Sequence, residues 1–297
     1  MAQHLGTLSE NASNPHRWTS NDEIYYCLSS IVQHAPWVRT IWLVVDNTTP
    51  DLARLPASVR DRLEVVYHHE IFGGFEHVLP TFNSLAIETM LWRIDGLADR
   101  FLYFNDDVFL TGPLTPEDMF DGDAPVLRGR WRDLSGLLAD PAARDDPACF
   151  HGFMQINAGA MAGQPADRIF APAHVVHPMR RSVMARLFAQ HRQAFLDNIG
   201  HRFRDLDQFL PQALHNHILI AEDAARQAAA TDHLHIRSGQ GRGGSGEDVR
   251  ALLTPDALSG VKFLCVNDLP QLEEVLPDAR SLIAQAIGQP DSSVIAA

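Results

Sequence analysis

Two carboxylates stand side by side in the stretch RFLYFNDDVFL at residues 100–110. Phe101–Phe104 precede them and Val108–Leu110 follow, so Asn105, Asp106 and Asp107 interrupt an otherwise apolar run. Adjacent carboxylates repel, and each loses hydration when the chain around it is buried, so the pair calls for a cation. Mg²⁺ or Mn²⁺ at Asp106 and Asp107 meets that need. A hard ion takes one or two carboxylates and keeps positions for phosphate oxygens. The plain alternative is a turn in which one aspartate caps backbone amides; the apolar return after the pair favours the metal.

His177 stands before Pro178, a residue suited to the first turn of a helix. The expectation is a helix beginning there, with Arg181 one turn on. A neutral imidazole beside a phosphate at a helix start could take the proton of an attacking hydroxyl. A capping histidine and a solvated arginine face account for the same spacing. The stretch HRFRDLDQF places Arg202 and Arg204 on either side of Phe203, with Asp205 and Asp207 following. One arginine could reach a phosphate while the other pairs with an acid; a surface network of ion pairs is the alternative. With 15 histidines in the chain, none is informative alone. Asn83, Glu70, Asn267 and Asp268 are polar residues at strand ends or in loops, with the same ambiguity.

The elements that would position these groups follow from periodicity. Ser20 and Glu23 form an S-x-x-E capping pattern. Ile24, Cys27, Leu28 and Ile31 then mark one helical face, which ends before Pro36. Residues 40–45, 63–67, 101–104 and 261–269 are short apolar strands, and a helix is expected from Asn83 or Ser84 to about Ile94. Near-continuous apolar strands alternating with helices predict an α/β layered fold with a largely parallel sheet. In such sheets ligands bind beyond the carboxyl ends of the strands. Asp46, His68 and Asp106–Asp107 fall there. The Gly-rich run at 238–246 lacks the Gly-Lys-Ser/Thr ending of a phosphate loop and is expected to be a linker.

The chain has 297 residues, 45% of them hydrophobic, and a net charge of −13. That acidity argues against non-specific nucleic-acid binding. It leaves room for a small anionic ligand where arginines or a cation reverse the local field. Three scattered cysteines suggest neither a disulfide framework nor a zinc knuckle. No apolar run reaches transmembrane length, and the N-terminus has no signal-peptide pattern. The expected organisation is a loose lead-in over 1–19, a catalytic domain over 20–237 and the Gly-rich loop at 238–246. A C-terminal segment, 247–297, would return to the core and end in a frayed tail.

Together, NDEIYYCLSSIVQHAPWVRTIWLVVDN, LPTFNSLAIETMLWRIDGLADRFLYFNDDVFL, HVVHPMRRSVM with HRFRDLDQF, and FLCVND resemble the second, third and fourth conserved blocks of the Stealth proteins. That resemblance implies a Rossmann-like, glycosyltransferase-A-like core with a mostly parallel sheet. It implies transfer of hexose-1-phosphate from a UDP-sugar to a glycan hydroxyl, with UMP leaving, in capsular or extracellular polysaccharide synthesis. Asp106 and Asp107 match the family's acidic, metal-holding pair, and His177 its catalytic histidine, the general base. Arg181 and Arg204 match arginines that hold the diphosphate, with Arg204 catalytic. Asn83, Asn105, Asp207 and Asn267 are assigned to substrate binding. A cytoplasmic protein is expected, with peripheral association at the inner face of the membrane left open. The family's first block, a Tyr-Thr-Trp-Val-Asp-Gly-like strand, has no counterpart before residue 20, so the sheet should lack a member. Tyr25 and Ser29 stand where the family has arginines. A conventional glycosyltransferase, or an inactive sugar-nucleotide-binding or glycan-binding homologue, are the alternatives.

Overall fold

A computed structural model describes residues 21–237 and 245–289. Ser20, the 1–19 lead-in, most of the Gly-rich loop and the C-terminal tail lie outside the described residues. The strands are β1 (Ile41–Val45), β2 (Leu63–Tyr67), β3 (Arg100–Tyr103), β4 (Val108–Leu110), β5 (Phe120–Asp121) and β6 (Ala124–Arg132). They continue as β7 (Ile169–Pro172), β8 (His177–Arg180), β9 (Arg226–Ala228), β10 (His233–Arg237) and β11 (Phe263–Asn267). The apolar runs at 41–45, 63–67 and 100–103 become strands as their composition predicts.

The direction of pairing differs from expectation. β1–β2, β10–β11 and β6–β9 are parallel. β4–β11, β3–β8, β5–β6 and β6–β7 are antiparallel. The molecule is a mixed α/β protein with several small sheets in place of one mostly parallel Rossmann-like sheet. The physical reason is that a continuous apolar run reports burial on both faces; it says nothing of the neighbour's direction.

The residues after His177 also differ. His177–Arg180 is strand β8, with Pro178 opposite Leu102, and the helix begins at Arg181 and runs to Gln190. Among the described residues β8 pairs with β3 alone, so the proline's missing N–H falls on an open edge.

The helix Glu23–His34 buries Tyr25–Ile31 against the sheet formed by β4 and β11. Ser30 Oγ donates to Cys27 O at 2.7 Å and accepts from Leu110 N–H at 3.0 Å, tying the helix to β4. Tyr25 and Ser29 are both buried. The segment after the Gly-rich loop contributes β11 between β10 and β4, and its Leu269, Leu272, Leu276 and Ile283 pack with Tyr26 and Leu28 in one core.

A cavity of about 1350 Å³ separates β1 from β3. Consecutive residues Thr40–Val45 and Arg100–Asp106 line it. Side chains alternate between faces along a strand, so consecutive lining means that the backbone edges themselves face the cavity. Among the described residues neither edge has a strand partner there.

Candidate active site

β3 runs out at Tyr103 and β4 begins at Val108, so Asn105–Asp107 form the link that turns between them at the cavity's end. β11 lies antiparallel to β4 with Cys265 opposite Val108, and Val266 N–H donates to Asp107 O at 3.0 Å. That register carries Asn267 to the carboxylate: Asn267 Nδ2 donates to Asp107 Oδ2 at 2.5 Å. The Cys265 thiol lies 3.7 Å from the same oxygen. Asn267 Oδ1 in turn bonds the His235 imidazole, which stacks on His174 with ring centroids 5.1 Å apart. His174 Nε2 is 3.5 Å from Asp107 Oδ1, within ion-pair reach and long for a hydrogen bond.

Burial acts first on Asp107 and would raise its pKa. His174, Asn267 and Cys265 outweigh it and hold the carboxyl below its ordinary value. Burial and then the charge of Asp107 push Asp106 the other way. Asp106 opens on the cavity. Glu23 completes an acidic wall: burial, Asp106 and Asp107 raise its carboxyl to about 7, and its Oε1 accepts from Leu269 N–H at 3.3 Å. The sequence suggested a capping role for Glu23; its carboxylate instead reaches across to the helix Leu269–Val275.

The oxygen donors fit a hard divalent cation. Asp107 Oδ1 is buried with no hydrogen-bond partner among the described residues, and the charges of Asp106 and Asp107 both act on Glu23. Asp107, His174 and Cys265 also bring one ligand atom each within 4.8 Å of the others. Burial and the neighbouring carboxylate raise the Cys265 thiol, however, so it serves as a neutral donor to Asp107.

His174 is also within electrostatic reach of His151. His151, in the first turn of the helix Phe150–Met161, is lowered to about 4 by burial and then by His174, Arg204, Arg237 and Arg132. Arg204 Nη2 donates to Ser84 Oγ at 2.7 Å. Glu88, one turn after Ser84, is raised by burial and opposed by the charges of Arg204 and His174.

Asp106, Asp107, Asn105, Asn267 and Arg204 therefore converge, and Asn105 Oδ1 accepts from the Tyr103 hydroxyl. Four other residues do not belong to the open site. His177 is buried in β8, stacked on Tyr103, and pushed down to about 3 by burial and by His174 and His215. Arg181 donates to the carbonyls of Trp92 at 2.9 Å and Leu97 at 3.4 Å, which commits its guanidinium to the fold. Asn83 is fully buried. It caps the helix Ser84–Met90 through Leu85 N–H and donates to His201 O, Phe203 O and Gln208 Oε1. It thus positions the loop that carries Arg204. Asp207 lies at the surface, 3.5 Å from Arg144. Sequence reasoning passed over His174, although the pair His174 and His177, three apart, was visible; Pro178 drew attention to the second. Glu23, His235 and Cys265 carried no signal separable from helix and strand composition.

Residues 17–126 match the family model "Stealth protein CR2, conserved region 2". An exopolysaccharide phosphotransferase of Streptomyces coelicolor is 34% identical over 209 residues, covering 68% of this chain and 36% of that protein. A second from the same organism is 31% identical over 285 residues, 94% of this chain and 45% of the relative. The human N-acetylglucosamine-1-phosphotransferase subunits alpha/beta are 40% identical over 104 residues, 35% of this chain and 8% of that protein. The chain thus spans less than half the length of these relatives. Among the described residues no helix is long and apolar enough to cross a membrane.

Proposed function

We propose that this chain, a Stealth-family protein through its second conserved region at residues 17–126, transfers hexose-1-phosphate from a UDP-sugar to a glycan hydroxyl and releases UMP. The observation that carries the reading is the 3.5 Å approach of His174 Nε2 to Asp107, beside the carboxylates of Asp106 and Glu23. Phosphoryl transfer is catalysed mainly by positioning and by compensating charge, which the carboxylates, His174 and Arg204 would supply.

Glu23, Asp106 and Asp107 would hold the divalent ion, Mg²⁺ or Mn²⁺. That ion would neutralise the diphosphate and the departing phosphate. Arg204, with a planar fork of donors, grips the diphosphate oxygens. With the imidazole proton assigned to Nε2, toward Asp107, His174 Nδ1 is left to accept. The acceptor hydroxyl oxygen attacks the phosphorus that bears the sugar. Its proton passes to His174 Nδ1, the bond from that phosphorus to the bridging oxygen breaks, and UMP departs with the electron pair. Asn267 holds Asp107 and, through its carbonyl, His235, so the His174 ring is braced on one face. This assigns to His174 the role first expected of His177, which is buried behind it. Such a reaction consumes a nucleotide sugar and suits a cytoplasmic protein working at the inner face of a membrane.

The test is the nucleotide product. Purified chain is incubated with UDP-N-acetylglucosamine, Mg²⁺ and a glycan acceptor, and the nucleotides are separated. UMP is expected. UDP would replace the proposal with conventional glycosyl transfer, and saturable donor binding without either product would make the chain a binding homologue.

A further inference from the structure

Beside the carboxylates offered to Mg²⁺ stands a second donor set of different chemistry. Asp107, His174 and Cys265 come from the β3–β4 link, the bend before β8 and strand β11. One ligand atom from each lies within 4.8 Å of the others. His174 Nε2 is 3.5 Å from Asp107 Oδ1, and the Cys265 thiol is 3.7 Å from Asp107 Oδ2. Zinc held tetrahedrally at about 2.0–2.3 Å sets its ligand atoms about 3.3–3.6 Å apart, so these spacings need little closing. Two of the atoms lack partners: Asp107 Oδ1 and His174 Nε2 are both buried with no hydrogen bond among the described residues. Cys265 is fully buried on a strand paired on both sides, by β10 and β4, which fixes its sulfur in place. The His174 side chain is 34% exposed, which leaves an ion a way in. Nitrogen, oxygen and sulfur together favour zinc over Mg²⁺, which prefers oxygen alone.

We propose that Asp107, His174 and Cys265 form an inhibitory zinc site, with three protein ligands and a fourth position open to water. The site stands on its own geometry; its inhibitory effect rests on the proposed reaction. Without a metal the thiol remains a neutral donor to Asp107. When zinc binds, the Cys265 proton passes to solvent and the thiolate coordinates. His174 coordinates through Nε2, so its single ring proton moves to Nδ1. Nδ1 is the atom that takes the acceptor hydroxyl's proton in the proposed reaction, and it is then no longer free to accept. Asp107 Oδ1 is withdrawn from Mg²⁺ in the same event, which leaves Asp106 and Glu23. One ion thus removes the base and a ligand of the activating metal together, while Asn267 still holds Asp107 through Oδ2.

The test uses Co²⁺ as a coloured stand-in for zinc, added to the full chain in excess Mg²⁺ with neither donor nor acceptor present. A thiolate-to-cobalt charge-transfer band in the near ultraviolet is expected, and Zn²⁺ should bleach it. Cys149→Ser should keep the band and Cys265→Ser should lose it. His174→Gln, on the partly exposed bend, should weaken cobalt binding about tenfold or more without touching the strand core. In UMP release, the Zn²⁺ concentration that halves the rate should rise about tenfold or more in Cys265→Ser, measured against that variant's own zinc-free rate. No band in the parent, or a band that survives in Cys265→Ser, would overturn the site. So would cobalt binding unchanged in His174→Gln. Zinc inhibition of equal strength in parent and Cys265→Ser would overturn its inhibitory role. Because the band is read without turnover, a chain that shows it but yields no UMP would refute the proposed reaction and leave the metal site standing.

Discussion

Replacing Glu23 by Gln tests whether three carboxylates are held together without a compensating cation from the protein. Burial, Asp106 and Asp107 raise the Glu23 carboxyl from its ordinary 4.5 to about 7. Arg280, the cation acting on it, is committed to Glu273 at 2.7 Å. A carboxyl raised in the folded state binds its proton more tightly there than in the unfolded chain. Its contribution to stability is therefore greatest below 4.5 and is lost as pH climbs to about 7. That interval corresponds to about 3 kcal/mol, the most that ionising Glu23 can cost the metal-free fold. Gln keeps an oxygen to accept from Leu269 N–H and carries no charge. In metal-free buffer the variant should match the parent at about pH 4.5 and exceed it by as much as about 3 kcal/mol near pH 8. Denaturant unfolding across the pH range, followed by circular dichroism, measures the difference. Mn²⁺ near neutral pH should stabilise the parent more than the variant, since only the parent offers the third carboxylate. A difference that is flat with pH, or a variant less stable than the parent under alkaline metal-free conditions, would refute the reasoning.

Other outcomes follow from the same contacts. His174→Gln should lower kcat by roughly 10²–10⁴-fold, whereas His177→Phe, which keeps the stack on Tyr103, should stay within about fivefold; steady-state UMP release distinguishes them. Asn83→Ala breaks the cap on Leu85 N–H and frees the carbonyls of His201 and Phe203, so a loss of about 2–4 kcal/mol is expected in denaturant unfolding. Asp232→Ala leaves the buried Arg128 guanidinium without its carboxylate and should cost about 3–5 kcal/mol in the same measurement. Chelation should abolish UMP release, and Mg²⁺ or Mn²⁺ should restore it.

Much of the local structure was legible because local patterns dictate it. The apolar runs ending at Val45, Tyr67 and Tyr103, and the face Ile24–Ile31, became the strands and helix their periods predict. The nine-residue strand Ala124–Arg132 was not expected, because three arginines alternating with Leu127, Gly129 and Trp131 look like a polar connection. Its partners β7 and β9 lie far along the chain, and only tertiary pairing reveals it. At the centre, Asp106 and Asp107 were conspicuous because carboxylates inside an apolar run break a rule that burial otherwise enforces. Asn267 was visible as a polar strand end; the β4–β11 register was needed to bring it to Asp107. His174 was hidden by its neighbour. Pro178 suggested a helix start and lent weight to His177, yet a proline on an open strand edge is equally allowed, and the strand turns His177 into the core. His174 stands in the bend before β8 while His177 lies on the strand itself, so the two imidazoles meet different surroundings.

The central claim is that the Asp107–His174 centre moves phosphorus together with the sugar. The most direct measurement is ³¹P nuclear magnetic resonance of the purified glycan product formed with UDP-N-acetylglucosamine. A phosphodiester resonance that appears with the parent chain and vanishes with His174→Gln is the predicted result. A glycosylated product that contains no phosphorus would contradict the account.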